Sequence, residues 1–227
     1  MKVGLVGFAG SGKSTVFRWL TGDEPDPSRV QQGQLGKADV PDERLDRLSA
    51  HFKPKKTRYA QIDFYDTPGL LPTERKDNPR RLGVLREADG LVIVLDGFAA
   101  ADLAGQLRRF RSELLFADLE IVTNRLAKLE AALKKPRPAK EREAELAEHD
   151  LLKRIAAALE AEQPTAALGL KPDEEKAVRA FQLFTLKPEV VFVNQAEPAP
   201  ASSLPGDLLE LAPNALAAPV RLELELE

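Results

Sequence analysis

The sequence predicts an α/β fold: a mixed, mostly parallel sheet carrying an inserted antiparallel α-helical coiled-coil hairpin. Three observations predict it. An apolar strand over residues 2–7 breaks at Gly7 into a glycine-rich turn and then a helix. Strand-like runs alternate with helical periods on both sides of the chain's middle, as in a sheet covered on two faces. The middle itself carries a heptad seam of apolar residues.

The elements follow in order. Ser14–Leu20 reads as a helix with Val16, Phe17 and Leu20 free to pack. Residues 22–39 are polar and punctuated by Gly22, Pro25, Pro27, Gly33 and Gly36, which predicts a loop ending in a short strand near Leu35–Val40. Asp42–Phe52 has Leu45 and Leu48 at helical spacing. The basic connector Lys53-Pro54-Lys55-Lys56 leads into a strand over Tyr59–Tyr65. An irregular stretch, Pro68–Pro79, precedes a helix over Arg80–Ala88 and a buried strand over Gly90–Asp96.

From Leu115, apolar residues fall at Leu119, Val122, Leu126, Leu129 and Leu133, a helix that starts near Ala101 and runs about 50 Å at 1.5 Å per residue. Pro136 and Pro138 stop it. A second helix, Ala139–Glu162, carries Leu152, Ile155 and Leu159 on one face, and a short proline turn joins the pair into a hairpin. Pro164–Pro172 reads as a linker and Asp173–Phe184 as a further helix, with its acid at the positive end of the helix dipole. Glu189–Val193 is a buried strand, Asp207–Leu211 a short helix. The alternation of Val220, Leu222, Leu224 and Leu226 with Arg221, Glu223, Glu225 and Glu227 predicts a half-exposed edge strand.

Length and composition bound the rest. The 227 residues make roughly one and a half domains. Residues 1–100 and 185–227 are expected to form one discontinuous sheet domain, with residues 101–184 as the helical insertion. The apolar share of 43% and charged share of 30% are those of a globular chain. No apolar run reaches the roughly 20 residues that span a bilayer, so no membrane partner is expected. With no cysteine, disulfides, thiolate metal sites and a cysteine nucleophile are excluded, and a cytoplasmic location is the expectation. A net charge of −3 leaves nucleic-acid binding to local basic patches.

Gly7-Phe8-Ala9-Gly10-Ser11-Gly12-Lys13-Ser14 fits G-x-x-x-x-G-K-[ST] in full, between a strand and a helix as the pattern requires. Its glycines let backbone N–H groups close around phosphate oxygens at a helix N-terminus. Lys13 is expected at the β- and γ-phosphates and the Ser14 hydroxyl on Mg²⁺. A second motif, Asp66-Thr67-Pro68-Gly69, follows a strand. Its aspartate can hold Mg²⁺ through a water, and the Gly69 N–H can sense a γ-phosphate. Leu70 follows, where many GTPases carry a water-orienting glutamine, so hydrolysis is expected to be slow, differently arranged or absent. A third motif, Asn194-Gln195-Ala196-Glu197, lies past the C-terminal end of a strand, where α/β sheets bind ligands. It is related to the guanine-reading N-K-x-D, but the longer acid and the missing lysine do not imply guanine. The candidate phosphate-binding residues are Gly10, Ser11, Gly12, Lys13, Ser14, Thr15 and Gly69. The candidate metal ligands are Ser14 and Asp66, and the candidate base-binding residues are Asn194 and Glu197. No residue is assigned as catalytic.

Together these motifs make the chain resemble the YchF-type P-loop NTPases of the Obg group of translation-factor-like GTPases. The resemblance also takes in Val40–Leu48 (VPDERLDRL), Arg86-Glu87-Ala88-Asp89, Ala117-Asp118-Leu119-Glu120 and Leu186-Lys187-Pro188. It implies a G domain with a coiled-coil insertion before the base-reading strand, binding of ATP at least as well as GTP through Asn194 and Glu197, Mg²⁺ as cofactor, and ribosome association. The chain departs from the family at Gly10, usually asparagine, and at Val30, which aligns with a first-switch threonine. It departs also in Leu71–Arg81, which replaces a glycine-rich second switch, and at Arg221-Leu222, where a serine-alanine loop is expected. Beyond Glu227 the family continues into a small β-rich domain, so the chain reads as a fragment or a reduced relative.

The leading expectation is a weak ATPase or GTPase acting as a switch on ribosomes or ribosomal RNA, which it contacts through the hairpin. Lys134, Lys135, Arg137 and Lys140 at the hairpin tip and Lys53, Lys55, Lys56 and Arg58 are basic clusters suited to phosphates. The alternatives are a nucleotide-binding interaction module without turnover and, as GSGKST also occurs there, a small-molecule kinase. His51 and His149 have no partner at ligand spacing, and Trp19 is expected in the core.

Overall fold

The computed structural model describes residues 1–26, 28, 33–71, 78–99, 102–136, 138–199 and 203–226. Val30, Arg137 and residues 72–77 of the remodelled second switch lie outside them. The chain divides into two compact units, residues 1–107 with 188–227, and residues 108–187.

The first unit is built on a sheet. β1 (Lys2–Val6), β2 (Gln34–Val40), β3 (Ala60–Asp66), β4 (Gly90–Gly97), β5 (Glu189–Gln195) and β6 (Leu216–Ala218) lie in the order β2-β3-β1-β4-β5-β6. β2 pairs antiparallel with β3, and every other pairing is parallel, which gives the mixed, mostly parallel sheet. The central strands are apolar along their length because both faces are covered. α1 (Lys13–Thr21) lays Val16 and Phe17 on the sheet beside Val3, Leu5, Phe64 and Val94. Trp19 is half-buried at the margin of this core, 6.1 Å from the Phe192 ring. Asp89 ties β4 to β1: its carboxylate accepts from the Lys2 N–H at 2.7 Å, and its own N–H donates to the Lys2 carbonyl at 2.8 Å. Parallel pairing brings the C-terminal ends of β1, β3, β4 and β5 to one edge of the sheet. That edge is where the three sequence motifs begin.

α2 (Glu43–Phe52) starts at Asp42, whose side chain caps the Arg44 N–H. The helix expected over Arg80–Ala88 is instead α3 (Asn78–Gly83) followed by a 3₁₀ turn over Val84–Glu87. α7 (Gly206–Leu211) precedes β6.

Val220–Leu226 corrects the sequence reading: it is a helix, α8, and not an edge strand. β6 has already taken the sheet edge with three residues. Pro219 then starts a helix, its carbonyl accepting from the Glu223 N–H at 3.0 Å. Val220 and Leu224 are four apart and pack together against the core, while Arg221 pairs with Glu225 at 3.1 Å on the outer side.

The second unit is helical. The chain enters it within α4 (Leu103–Leu133), which is joined by a short turn to α5 (Ala139–Glu160). Val122 and Leu129 of the heptad seam share one core with Leu152, Ile155 and Leu159, and Leu115, Leu119 and Leu126 pack on it. Arg125 reaches from α4 to Glu148 on α5 with two parallel bonds of 2.8 Å. The helix expected over Asp173–Phe184 is only α6 (Pro172–Val178), followed by separate 3₁₀ turns over Arg179–Phe181 and Phe184–Leu186. Asp118 holds that break in place. Fully buried, it accepts from the Phe184 N–H at 3.0 Å, the Thr185 N–H at 2.8 Å and the Thr185 hydroxyl at 2.9 Å.

Candidate nucleotide-binding site

The loop between β1 and α1 forms the floor of the site. Gly12 sits at the α1 N-cap with φ of 86°, a left-handed conformation that glycine adopts without strain. A Cβ there would lie 2.1 Å from the Asn194 amide nitrogen, so the position requires glycine on two counts. That amide nitrogen donates to the Ser11 carbonyl at 3.3 Å, and Asn194 itself is buried. The loop and the end of β5 are therefore tied together directly.

Lys13 is buried, and its Nζ donates to the Phe8 carbonyl at 2.8 Å. Burial lowers its pKa from 10.5 to about 8, an effect opposed by the nearby Asp66 carboxylate. Asp66 ends β3 opposite Leu5 of β1, close enough to the exposed Ser14 for the hydroxyl to act on its carboxylate. Burial raises the Asp66 pKa, with Ser14, Lys13 and the Thr67 N–H pulling it down. Its Oδ1 is buried without a hydrogen-bond partner. A hydroxyl, a neighbouring carboxylate and an unsatisfied carboxylate oxygen beside a phosphate cradle fit Mg²⁺, which takes few protein ligands and completes its shell with phosphates and water. Among the described residues no cluster of three or more acid or histidine side chains offers an all-protein metal site.

Gly69 crosses the loop closely. A Cβ on it would lie 2.5 Å from Ala9 Cα and 2.9 Å from Lys13 Nζ. Leu70 is buried and bridges to Phe8: its N–H donates to the Gly7 carbonyl at 3.1 Å, and its carbonyl accepts from the Ala9 N–H at 2.9 Å. The Leu70 side chain thus belongs to the core. Two anchors were not singled out from sequence. Buried Thr67 donates through its hydroxyl to the Leu5 carbonyl at 2.7 Å, locking the end of β3 to β1. Arg81 donates to the Gly69 carbonyl at 2.9 Å. An aspartate–threonine pair at a strand end was legible, but the reach of Arg81 over twelve residues had no signal in the sequence.

Beside the loop lies a cavity of about 570 Å³. Gly12, Thr15 and Asn194 line it, with Phe98 after β4 and Arg221 and Leu222 of α8. The structure therefore brings Asn194 and the loop's candidate phosphate-binding residues to one place. Glu197 is exposed and lies outside the cavity lining. Phe98 and α8 are lining elements that the sequence reading did not assign. Asp96 sets the Phe98 turn by accepting from the Phe98 and Ala99 N–H groups at 3.1 and 2.8 Å.

Residues 2–125 match the family model described as 50S ribosome-binding GTPase. The chain is 27% identical over 213 residues to the ribosome-binding ATPase YchF of Bacillus subtilis, covering 87% of this chain and 57% of that protein. It is 29% identical over 213 residues to Obg-like ATPase 1 of Oryza sativa subsp. indica, covering 87% and 53%. The chain thus spans little more than half the length of the curated relatives it matches. The structure of the Schizosaccharomyces pombe YchF GTPase superposes with a TM-score of 0.75 at 22% identity, over all of this chain and 67% of that one, a likeness of fold.

Proposed function

Because this chain belongs to the 50S ribosome-binding GTPase family, we propose that it is a nucleotide-binding P-loop NTPase of the YchF type that hydrolyses the γ-phosphate of ATP or GTP and acts on ribosomes or RNA as a switch. The observation that carries the proposal is the complete loop Gly7–Ser14 closed around a buried Lys13, with Asp66 facing Ser14. Backbone N–H groups of Gly10 to Thr15 bind phosphate oxygens, and the Lys13 ammonium neutralises the β- and γ-phosphates. Ser14 and Asp66 hold Mg²⁺, which when bound neutralises charge developing between those phosphates. The Gly69 N–H reports the γ-phosphate, and Asn194 orients the wall on which the base rests, with Glu197 as base reader.

The hairpin of α4 and α5 is the part we assign to the ribosome or its RNA. Lys134, Lys135 and Lys140 are exposed at its turn. A second reading, a nucleotide-dependent interaction module without turnover, is favoured by Leu70, whose buried side chain offers no polar atom to orient water. Titration with ATP and GTP, with and without Mg²⁺, tests the binding. Mg²⁺-dependent affinity for either nucleotide is expected, and no binding overturns the proposal. Single-turnover hydrolysis above a Lys13→Ala control separates the switch from the inert module. Lys13→Ala is itself expected to weaken triphosphate binding about 10–100-fold, as loss of a charge-assisted contact does.

A further inference from the structure

A surface outside the cavity lining remains unexplained: α2 and the basic connector behind it. Three contacts fold that connector back along the helix. The Lys53 N–H donates to the Ser49 carbonyl at 2.9 Å, the Ser49 and Thr57 hydroxyls lie 2.5 Å apart, and the Tyr59 hydroxyl bonds to Asp46. The acids of this segment all have partners on it. Asp42 binds Arg44 with two bonds, Glu43 pairs with Arg47 at 3.5 Å, and Asp46 takes Tyr59. Among the described residues, Lys53, Lys55, Lys56 and Arg58 remain exposed without an acid paired to them, in a chain whose net charge is −3. Directly before them stands Phe52, 72% exposed, with the His51 ring edge-on at 4.8 Å.

An exposed aromatic ring at the head of a lysine-rich turn contributes no burial to the fold. It also fits poorly in a protein interface, whose core is depleted in lysine. Together the two features are those of a single-stranded nucleic-acid contact, where cations track the backbone and a ring stacks a base. We propose that the C-terminal end of α2 and the connector Lys53–Arg58 bind single-stranded RNA, with phosphates on Lys53, Lys55, Lys56 and Arg58 and one unstacked base on Phe52. The proposal rests on the reading of the chain as ribosome- or RNA-associated and assigns that role a second surface, separate from the hairpin tip.

The test is fluorescence anisotropy of the full chain with a labelled, unstructured RNA of about 16 nucleotides, the upper end of such site sizes, titrated across about 50–200 mM salt. Four phosphate contacts give a log–log salt slope of about −2.8, and Lys55→Gln/Lys56→Gln reduces its magnitude by about 1.4. Phe52→Ala weakens binding about tenfold with the slope unchanged. ATP affinity stays at the wild-type value in both variants, which verifies their fold. Wild-type RNA binding in both overturns the proposal. If Lys134→Gln/Lys135→Gln alone loses RNA, this surface is wrong while the RNA-associated reading stands. If the wild type neither binds this RNA nor co-sediments with ribosomes, both fall. Loss of binding to a polyglutamate peptide with RNA binding intact would assign the patch to an acidic protein and overturn it too.

Discussion

Lys13 is where the site's chemistry is most exposed to measurement. Its pKa of about 8 in the free protein means that burial disfavours the ammonium until a phosphate arrives to favour it. A bound triphosphate raises the pKa, so affinity is highest below about pH 8 and falls as the free protein loses the proton, by up to tenfold per pH unit. Calorimetric titration from about pH 7.5 to 9.5 is expected to show this decline, and Lys13→Ala is expected to lack it. The stability sign is opposite. The folded state binds fewer protons than the unfolded one between about 8 and 10.5, so the cost of burying Lys13 is full below pH 8 and is relieved as pH rises through that window. If Asp66 holds Mg²⁺ as proposed, its raised pKa makes the expected Mg²⁺ dependence fade, as pH falls, at a higher pH than an ordinary carboxylate would. Gly12→Ala combines a left-handed backbone with a Cβ 2.1 Å from the Asn194 amide. A loss of at least about 1–2 kcal/mol in urea unfolding is expected, together with loss of nucleotide binding. These residues were legible because the loop's backbone demands glycine and its charge demands lysine. Arg81 was not, since its partner is a carbonyl that any residue carries.

At the level of elements, local rules and packing divide the work unequally. In the sequence the Ala117–Glu120 motif counted only toward the family resemblance, with no structural role attached. Its Asp118 instead supplies three acceptor contacts to the turn at Phe184–Thr185 and ends the helical run after α6. Asp118→Ala removes the acceptor of the buried Phe184 N–H and the half-buried Thr185 N–H and is expected to cost about 2–4 kcal/mol in urea unfolding, while Asp118→Asn, which keeps an acceptor, costs less. α8 shows the converse. Its seven residues are too few for an isolated helix in water, and their alternation suits a strand equally well. The occupied sheet edge and the fit of Val220 and Leu224 against α1 decide between them.

For the molecule as a whole, the proposed function gives the two compact units separable tasks. Charge reversal at the hairpin turn, Lys134→Glu with Lys135→Glu and Lys140→Glu, is expected to weaken ribosome co-sedimentation in low salt by more than tenfold while leaving nucleotide affinity unchanged. Unchanged sedimentation would remove the hairpin from the contact. Among the described residues no helix is long and apolar enough to cross a membrane.

The sequence by itself determined the strand–loop–helix phosphate cradle, the apolar strands of the sheet, the two long helices and the family to which they belong. Each of these follows from local periodicity, from glycine and proline chemistry, or from fixed spacing between charges. Only the tertiary structure decided that Val220–Leu226 is a helix lining the cavity beside the loop, that Asn194 ties into the loop while Glu197 stays exposed, and that Arg81 holds Gly69. It also decided that, among the described residues, four cations beside Phe52 stand without acids. The physical reason is common to all four. Each depends on which partner a residue meets across space, and neither propensity nor periodicity encodes a partner that is remote in the chain.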